Sequence, residues 1–183
     1  IQADNPDGDS LASSLALEQI LEEQGKQTYL YCAVDMPGYL KHLKGWDRVS
    51  PELPTQFEAS IIVDTSTTTL IEKLTNSGQH NWLATKPCIV LDHHAESSNL
   101  ISFARVLIND LDSSSTGELI YKVAKAAKWP VDAQAGEFIM SAVLSDTQGL
   151  TNDLASSETY RILADLVDTG VNRPKLEEAR RQL

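Results

Sequence analysis

Seven side chains of this sequence are of types that could bind metal ions and act on phosphate groups. They are five aspartates and two adjacent histidines: Asp7, Asp9, Asp64, Asp92, His93, His94 and Asp146. Carboxylates combined with one or two imidazoles suit hard divalent cations such as Mn²⁺. A carboxylate shared by two such ions holds them roughly 3.5 to 4 Å apart, the spacing used in phosphoryl chemistry. The residue types therefore indicate a two-metal hydrolase.

Some of these aspartates could instead have a purely structural role, as part of a turn or as a helix cap. The segment PDGDS could form a turn followed by an Asp or Ser helix cap, and Asp64 could cap a helix that starts in TSTTT. Adjacent histidines after a buried strand cannot both face the core, because neighbouring strand side chains point to opposite faces. At least one of His93 and His94 should therefore enter the space beyond the strand end.

The hydrophobic pattern predicts an α/β fold. The runs EASIIVDT and KPCIVLDHH are continuously apolar and each leads into Asp, as expected for buried parallel strands. IQA is predicted to be the stub of a first strand, and QTYLYCA a second strand. An apolar stripe from Leu11 to Leu21 that stops at Gly25 predicts the first long helix. Three further apolar helical faces, and a last helix in NRPKLEEARRQL, make the C-terminal third mostly helical.

This arrangement would gather the acids at one end of the sheet. In open parallel sheets, ligands bind beyond the carboxyl ends of the strands. Asp7 and Asp9 follow the first predicted strand, while Asp64 and Asp92 end two others. Asp146 comes from a later helix end. The sequence therefore predicts one composite site.

Composition limits the size of the molecule and the partners that it can bind. With 183 residues, 42% of them hydrophobic, the chain is long enough for one domain with a real core. No apolar run reaches the roughly 18 residues needed to cross a bilayer, so we expect a cytoplasmic protein and no membrane partner. A formal net charge of −11 argues against binding long nucleic acid, which requires clustered Lys and Arg. Cys32 and Cys88 lie in apolar runs and are predicted to be buried free thiols.

Five segments, in their order along the chain, resemble the motifs of the DHH phosphoesterase family: NPDGDS, IIVDTS, IVLDHH, SSSTGELIY and LSDTQGL. The resemblance covers essentially the whole chain. It implies a Rossmann-like, mostly parallel sheet flanked by helices, with a site for two Mn²⁺ ions. It also implies that residues 1–183 form a DHH-type catalytic domain with a truncated N-terminal strand. The smaller substrate-binding domain that most members carry would be absent from this chain.

The resemblance also implies a metal ligand set. Asp7 would ligate the first metal and Asp9 the second, while Asp64 would bridge them. His93 and Asp146 would complete the second metal. Water activated by the two ions would then attack phosphorus.

Further roles follow from the same resemblance. His94 would lie near the phosphate and assist catalysis, and Asp92 would orient a histidine. Ser114, Ser115 and Thr116 could offer N–H groups to a substrate phosphate, with plain helix capping as the alternative.

The sequence departs from the family pattern at Ala3. Family members usually have a histidine at this position, four residues before the first of the paired aspartates. Gln2 or Asp4 could supply an oxygen ligand instead. We therefore expect one of the two metals to bind more weakly than the other.

Together, these features predict a metal-dependent phosphoesterase that hydrolyses phosphoester bonds of small nucleotides or short oligonucleotides. Two alternatives stay open: a manganese-dependent inorganic pyrophosphatase, and a non-catalytic nucleotide-binding or regulatory module. The expected partner is a small nucleotide or a short oligonucleotide, and a homodimer is also compatible with the sequence.

Overall fold

The computed structural model describes residues 1–95 and 98–181. In chain order the elements are α1 (Gly8–Glu23), β1 (Ser60–Val63), α2 (Glu72–Asn76), α3 (His80–Leu83), β2 (Cys88–Asp92), β3 (Val106–Asn109), α4 (Thr116–Ala126), α5 (Ala133–Asp146), α6 (Ser157–Asp168) and α7 (Arg173–Arg181). Short 3₁₀ turns lie at Gly38–Leu40, Trp46–Arg48 and Thr68–Ile71. Within the described ranges, no helix combines the length and the apolar character that a membrane crossing requires.

The three strands form one parallel sheet in the order β1-β2-β3. Ile62 of β1 lies opposite Val90 of β2, which in turn lies opposite Leu107 of β3. The predicted α/β class is confirmed, with a parallel sheet flanked by helices and a helical C-terminal part. Because all three strands run the same way, their carboxyl ends lie at one end of the sheet.

Two predicted strands are extended segments rather than strands. Ile1 lies beside β1, since its terminal amine donates to the Ile61 carbonyl at 2.8 Å and its own carbonyl accepts from the Val63 N–H at 3.0 Å. QTYLYCA contributes a single bridge, between Tyr31 and Ser50, and the Tyr31 carbonyl also accepts from the Gln2 N–H. A ladder needs several consecutive pairs, so the description of IQA and QTYLYCA as strands is corrected to segments alongside the sheet.

β3 is absent from the strands that the sequence predicts. Its four residues, VLIN, are short and stand between Arg105 and Asp110, so they lack the long apolar run that marks β1 and β2. Pairing with β2 forms this strand, which is a tertiary rather than a local cause.

The core lies on both faces of the sheet. Val63 and Leu91 pack into a large cluster with the helices α1, α4, α5 and α6. Ile62 and Val90 point the other way and pack with residues of α2 and α3. This division follows from the alternation of side chains along a strand. Apolar layers on both faces explain why the runs in β1 and β2 are continuously hydrophobic.

Candidate metal centre

The centre is built where two neighbouring strands end and two helix termini converge. Asp64 follows β1 directly, and Asp92 is the last residue of β2. Asp9 lies in the first turn of α1, whereas Asp146 is the last residue of α5. Asp64 has a positive φ of 64°, an uncommon backbone conformation for a residue with a side chain. Such residues often occur at functional sites.

One group of potential ligands consists of Asp9, His93 and Asp146. The His93 Nε2 atom lies 3.0 Å from a carboxylate oxygen of Asp146 and 3.5 Å from one of Asp9. Asp9 is completely buried, while the side chain of Asp146 is 16% exposed. The group is therefore open to solvent mainly on the Asp146 side.

A second group consists of Asp64, His93 and His94, and it shares His93 with the first. Asp64 places a carboxylate oxygen 3.7 Å from the His93 Nε2 and 3.8 Å from the His94 Nδ1. In each group the possible ligand atoms lie within 4.8 Å of one another. Carboxylate and imidazole atoms at this separation can close around a divalent cation.

The ring of His93 is oriented by the backbone. Its Nδ1 lies 3.2 Å from the carbonyl oxygen of Ser113, and a nitrogen that faces a carbonyl carries a proton. In the neutral ring, the Nε2 lone pair therefore points at the carboxylates. This buried Nε2 has no aligned hydrogen-bond partner among the described residues. A lone pair facing carboxylates is unfavourable unless a cation, either a proton or a metal ion, lies between them.

The pKa values of the clustered side chains also indicate that too little positive charge lies among the carboxylates. Burial, followed by the nearby charge of Asp146, raises the pKa of Asp9 to about 6. Burial, then Asp9 and Asp7, raises the pKa of Asp64 well above its usual value. Burial alone would lower the pKa of His93, but the carboxylates of Asp146 and Asp9 outweigh it and raise the pKa. A divalent cation would supply the missing charge.

The start of α4 holds the two buried acids in place. The Thr116 and Gly117 N–H groups donate to the Asp9 carboxylate at 2.7 and 3.1 Å, and the Thr116 hydroxyl donates to Asp64 at 2.9 Å. The Ser13 hydroxyl also donates to Asp9, at 2.7 Å. Ser13 and Gly117 are not among the site residues found from the sequence. Ser13 does carry a signal, because a residue four positions after Asp9 shares its helical face.

Ser114, Ser115 and Thr116 have structural roles in the folded chain, and their contact with a substrate phosphate stays a prediction. All three are fully buried. Ser115 caps α4 by accepting the Glu118 N–H at 3.0 Å, and Ser114 donates to the buried Glu118 carboxylate. Their polar groups are therefore used inside the protein, where they support Glu118 and the acids of the centre.

Asp7 lies outside both ligand groups. It is exposed and caps α1, since its carboxylate accepts the Ser10 N–H at 2.9 Å and the Ser10 hydroxyl accepts the Asp7 N–H at 3.0 Å. The helix cap considered for PDGDS is thus Asp7 with Ser10, and Asp9 has a different role. Asp7 is still close enough for its charge to raise the pKa of Asp64.

Asp92 connects the two histidines. One carboxylate oxygen accepts the His93 N–H at 2.8 Å and lies 2.8 Å from the His94 Nδ1. Asp92 is fully buried, whereas the His94 side chain is 48% exposed. The hydrogen bond to Asp92 raises the pKa of His94. His94 is therefore oriented by Asp92 with part of its ring facing solvent.

Gln2 and Asp4 were expected to compensate for Ala3, which cannot bind a metal. Neither residue belongs to the two ligand groups. The Asp4 carboxylate accepts the Lys73 N–H at 2.8 Å and so caps the start of α2. The Gln2 side chain is buried, and its carbonyl oxygen accepts from the Ser10 hydroxyl at 3.4 Å. Ala3 itself is buried and offers no ligand atom.

An open groove of about 830 Å³ lies beside the start of α1 and the end of α5, and its lining includes none of the five residues of the ligand groups. Gly8, between Asp7 and Asp9, and Ser145, next to Asp146, both line it. Other parts of the lining come from residues 38–43, which include the 3₁₀ turn, and from α7. Their polar and aromatic side chains are Tyr39, His42, Glu177 and Arg180, and Arg180 is ion-paired with Glu177 at 3.0 Å. The size suits a small organic ligand rather than a single ion.

Comparison with known proteins identifies relatives of the chain. The sequence model of the DHH family, N-terminal domain, matches residues 1–146. The uncharacterized protein MG371 of Mycoplasma genitalium is 25% identical over 178 residues, which are 96% of this chain and 52% of that protein. Its Mycoplasma pneumoniae homologue is 26% identical over 94 residues, covering 51% of this chain and 28% of that protein. The chain thus spans about half the length, or less, of these relatives.

Two solved structures share the fold over the whole chain. An exopolyphosphatase-related protein from Bacteroides fragilis superposes with a TM-score of 0.81 at 23% identity, and 55% of that chain is covered. A putative family II inorganic pyrophosphatase from Methanococcus jannaschii superposes with a TM-score of 0.69 at 20% identity, and 58% of it is covered. At these identities the likeness establishes the fold.

Proposed function

We propose that this chain, which belongs to the DHH family, is a metal-dependent phosphoesterase acting on small nucleotides or short oligonucleotides. The main observation in support is the pair of ligand groups that share His93, with an open groove nearby. The names of the two structural neighbours both concern hydrolysis of phosphate bonds, which supports the reaction class.

The residues of the centre fit divalent metal ions. The lone pair of the buried His93 Nε2 points at carboxylates, and two of these have raised pKa values because positive charge is lacking. We propose Mn²⁺, since it accepts imidazole and carboxylate ligands together. One imidazole nitrogen binds one ion, so His93 cannot serve both ions, and we propose that Asp64 would be the ligand that they share. The chemistry that such ions supply is acidification of water and neutralisation of phosphoryl charge.

The protein side chains have separate tasks in this proposal. Asp9, Asp146 and His93 would hold one ion, while the α4 N–H groups keep Asp9 oriented. His94, half exposed and hydrogen-bonded to Asp92, would donate a hydrogen bond to the phosphate or a proton to the departing oxygen. Its raised pKa favours the protonated form that this task needs.

The groove supports a nucleotide over inorganic pyrophosphate. Tyr39 is 60% exposed, and its ring offers a surface on which a base can stack. Arg180 on α7 would bind a second phosphate by exchanging its ion pair with Glu177 for one with the ligand. An inorganic pyrophosphate would leave most of this groove empty. A cytoplasmic location is part of the proposal, because both cysteines are free and buried, as in a reducing compartment.

Turnover of matched substrates tests the proposal. With Mn²⁺ present, the chain should hydrolyse a dinucleotide, and Asp64→Asn should abolish the reaction. Tyr39→Ala should raise the KM for the dinucleotide about tenfold, as expected for the loss of one stacked base, while leaving kcat within about twofold. Tyr29→Ala is the control, since Tyr29 is similarly exposed but lies outside the groove. Hydrolysis of pyrophosphate alone would instead identify a pyrophosphatase, and binding without turnover a nucleotide-binding module.

A further inference from the structure

A fully buried glutamate lies behind the metal centre. Glu118, in the first turn of α4, is 0% exposed and belongs to neither ligand group. A carboxylate in the interior loses its hydration, so its burial is unfavourable unless the surrounding groups donate hydrogen bonds to it. The groups that donate to Glu118 therefore indicate its role.

Three donors converge on one carboxylate oxygen of Glu118. The Ser114 N–H donates to the Glu118 Oε2 at 3.2 Å, and the Ser114 hydroxyl donates to the same atom. The Thr159 hydroxyl, from α6, donates to it at 2.8 Å. The Lys122 Nζ lies 3.2 Å from the other oxygen, Oε1. Glu118 thus connects α6 to the segment before α4, and it holds Ser114 by both its backbone and its side chain.

Ser114 directly follows the residue that orients His93. The Ser113 carbonyl oxygen lies 3.2 Å from the His93 Nδ1. One peptide unit therefore makes two contacts, because its carbonyl belongs to Ser113 and faces the imidazole, while its N–H belongs to Ser114 and faces Glu118. Glu118, this peptide unit and the His93 ring form one hydrogen-bonded series, which ends at the Nε2 that faces the carboxylates.

We propose that Glu118 is a positioning residue for His93 and acts through the peptide unit between Ser113 and Ser114. Because a peptide unit is planar, a fixed N–H also fixes the direction of the carbonyl on its other side. The negative charge of Glu118 polarises the unit and strengthens the hydrogen bond that its carbonyl accepts.

This role matches what a histidine ligand needs. Such a histidine usually donates its second N–H to a carboxylate or a carbonyl, which orients the ring and raises its basicity. Asp92 does not serve the His93 ring in this way, since it accepts from the His93 backbone N–H and binds the ring of His94. Glu118 supplies the carboxylate through one peptide unit, an inference that rests on the proposed metal centre.

Two substitutions of similar size separate positioning from packing. Glu118→Met removes both carboxylate oxygens, whereas Glu118→Gln keeps one oxygen for the Ser114 and Thr159 donors. Its amide then faces Lys122, which has other acceptors. Leu166→Ala is the matched control for lost stability, because Leu166 is fully buried on α6 and makes none of these contacts. Circular dichroism of each variant checks folding.

NMR of the metal-free protein measures the orientation of His93. The proton on the His93 Nδ1 should give a slowly exchanging imidazole signal in the wild type and in Leu166→Ala. Glu118→Met should lose this signal through faster exchange with water. Glu118→Gln should keep it but move it upfield, because a neutral amide oxygen polarises the peptide less. A signal that is unmoved in Glu118→Gln, or preserved in a folded Glu118→Met, would overturn the proposal.

Calorimetric titration measures the consequence for the metal centre. Glu118→Met should weaken Mn²⁺ binding by at least about tenfold, and Glu118→Gln by less than about tenfold. Leu166→Ala should bind Mn²⁺ as the wild type does. Equal affinities of Glu118→Met and the wild type would overturn the proposal. A wild type that binds no Mn²⁺ would instead contradict the proposed function, while the NMR comparison still decides whether Glu118 orients His93.

Discussion

His93 and His94 are neighbours in sequence but have different surroundings. The side chain of His93 is 5% exposed, and its Nε2 faces three carboxylates, from Asp9, Asp64 and Asp146. The His94 side chain is half exposed, and its Nδ1 is already engaged by Asp92. Adjacent positions after a strand point in different directions, so the pair can divide metal binding and substrate contact between them.

This difference predicts separable effects of the two histidines. His93→Ala should weaken Mn²⁺ binding by at least about 100-fold, because the centre loses the nitrogen common to both ligand groups. His94→Ala should keep Mn²⁺ affinity within about tenfold but lose turnover. Calorimetric titration measures both affinities. His80→Ala, which removes an imidazole outside both groups, provides the control, and equal weakening in the His93 and His94 variants would contradict the division of roles.

The raised pKa of Asp9 predicts how stability depends on pH in the absence of metal. Burial raises this pKa from 3.8 to about 6, so between these values the folded chain binds a proton that the unfolded chain does not. Stability should therefore fall as pH rises through this window. Bound metal should reverse the trend, because ligation requires the deprotonated acid.

Urea denaturation at several pH values in EDTA checks this expectation. Asp9→Asn should make the dependence between the two pKa values shallower, whatever its effect on the absolute free energy of unfolding, and the remaining slope should come from Asp64, whose pKa is also raised. Asp168→Asn, at the exposed end of α6 and outside both ligand groups, is the matched control and should retain the wild-type dependence. If the slope of Asp9→Asn equals that of the wild type, Asp9 is not the group responsible.

At the scale of elements, the centre depends on the close approach of two helix ends. α1 begins at Gly8, and α5 ends at Asp146, with Ser145 against the first turn of α1. A Cβ atom at position 8 would overlap the Ser145 side chain. The glycine therefore allows Asp9 and Asp146 to reach the same histidine.

Gly8→Ala should separate these two helix ends. Alanine normally favours a helix over glycine by about 1 kcal/mol, but the overlap should make this variant less stable by about 1 to 3 kcal/mol. Mn²⁺ affinity should fall with it, because the Asp9 and Asp146 carboxylates move apart. Thermal melts with and without Mn²⁺ measure both effects. Gly38→Ala, at a position with open space around it, should change neither.

A second substitution tests whether overlap with Ser145 causes the effects of Gly8→Ala. Ser145→Gly removes the atoms that an alanine at position 8 would meet. The double variant should therefore regain most of the Mn²⁺ affinity that Gly8→Ala loses. Failure of this rescue would mean that Gly8 acts through the conformation of the loop instead of through the distance between α1 and α5.

At the scale of the whole molecule, helices cover both faces of the sheet and leave two regions available for partners. The carboxyl ends of β1 and β2 carry the acid centre and the groove beside it. The edge of β3 exposes the apolar side chains of Val106, Leu107 and Ile108. The two regions lie at different borders of the sheet.

Much of this molecule is predictable from local patterns. Continuous apolar runs that lead into Asp identify β1 and β2, and 3.6-residue periodicity identifies the C-terminal helices. The apolar residues before Gly25 identify α1, which is buried on nearly every side. β3 is missed because its pairing with β2, more than its own composition, makes it a strand. For the same reason IQA and QTYLYCA, which have strand composition, form only isolated contacts with the sheet.

The sequence alone determines which residue types are available at the centre and that the strands bring them to one end of the sheet. Only the tertiary structure decides which of these residues lie in the ligand groups and which stabilise the helices around them. Asp7 and Asp9 are alike in sequence, yet Asp7 caps α1 in solvent while Asp9 is buried against α4. Ser115 and Thr116 are adjacent in sequence, yet Ser115 caps α4 while Thr116 binds Asp9 and Asp64. These outcomes depend on contacts between segments up to 108 residues apart, which local pattern cannot specify.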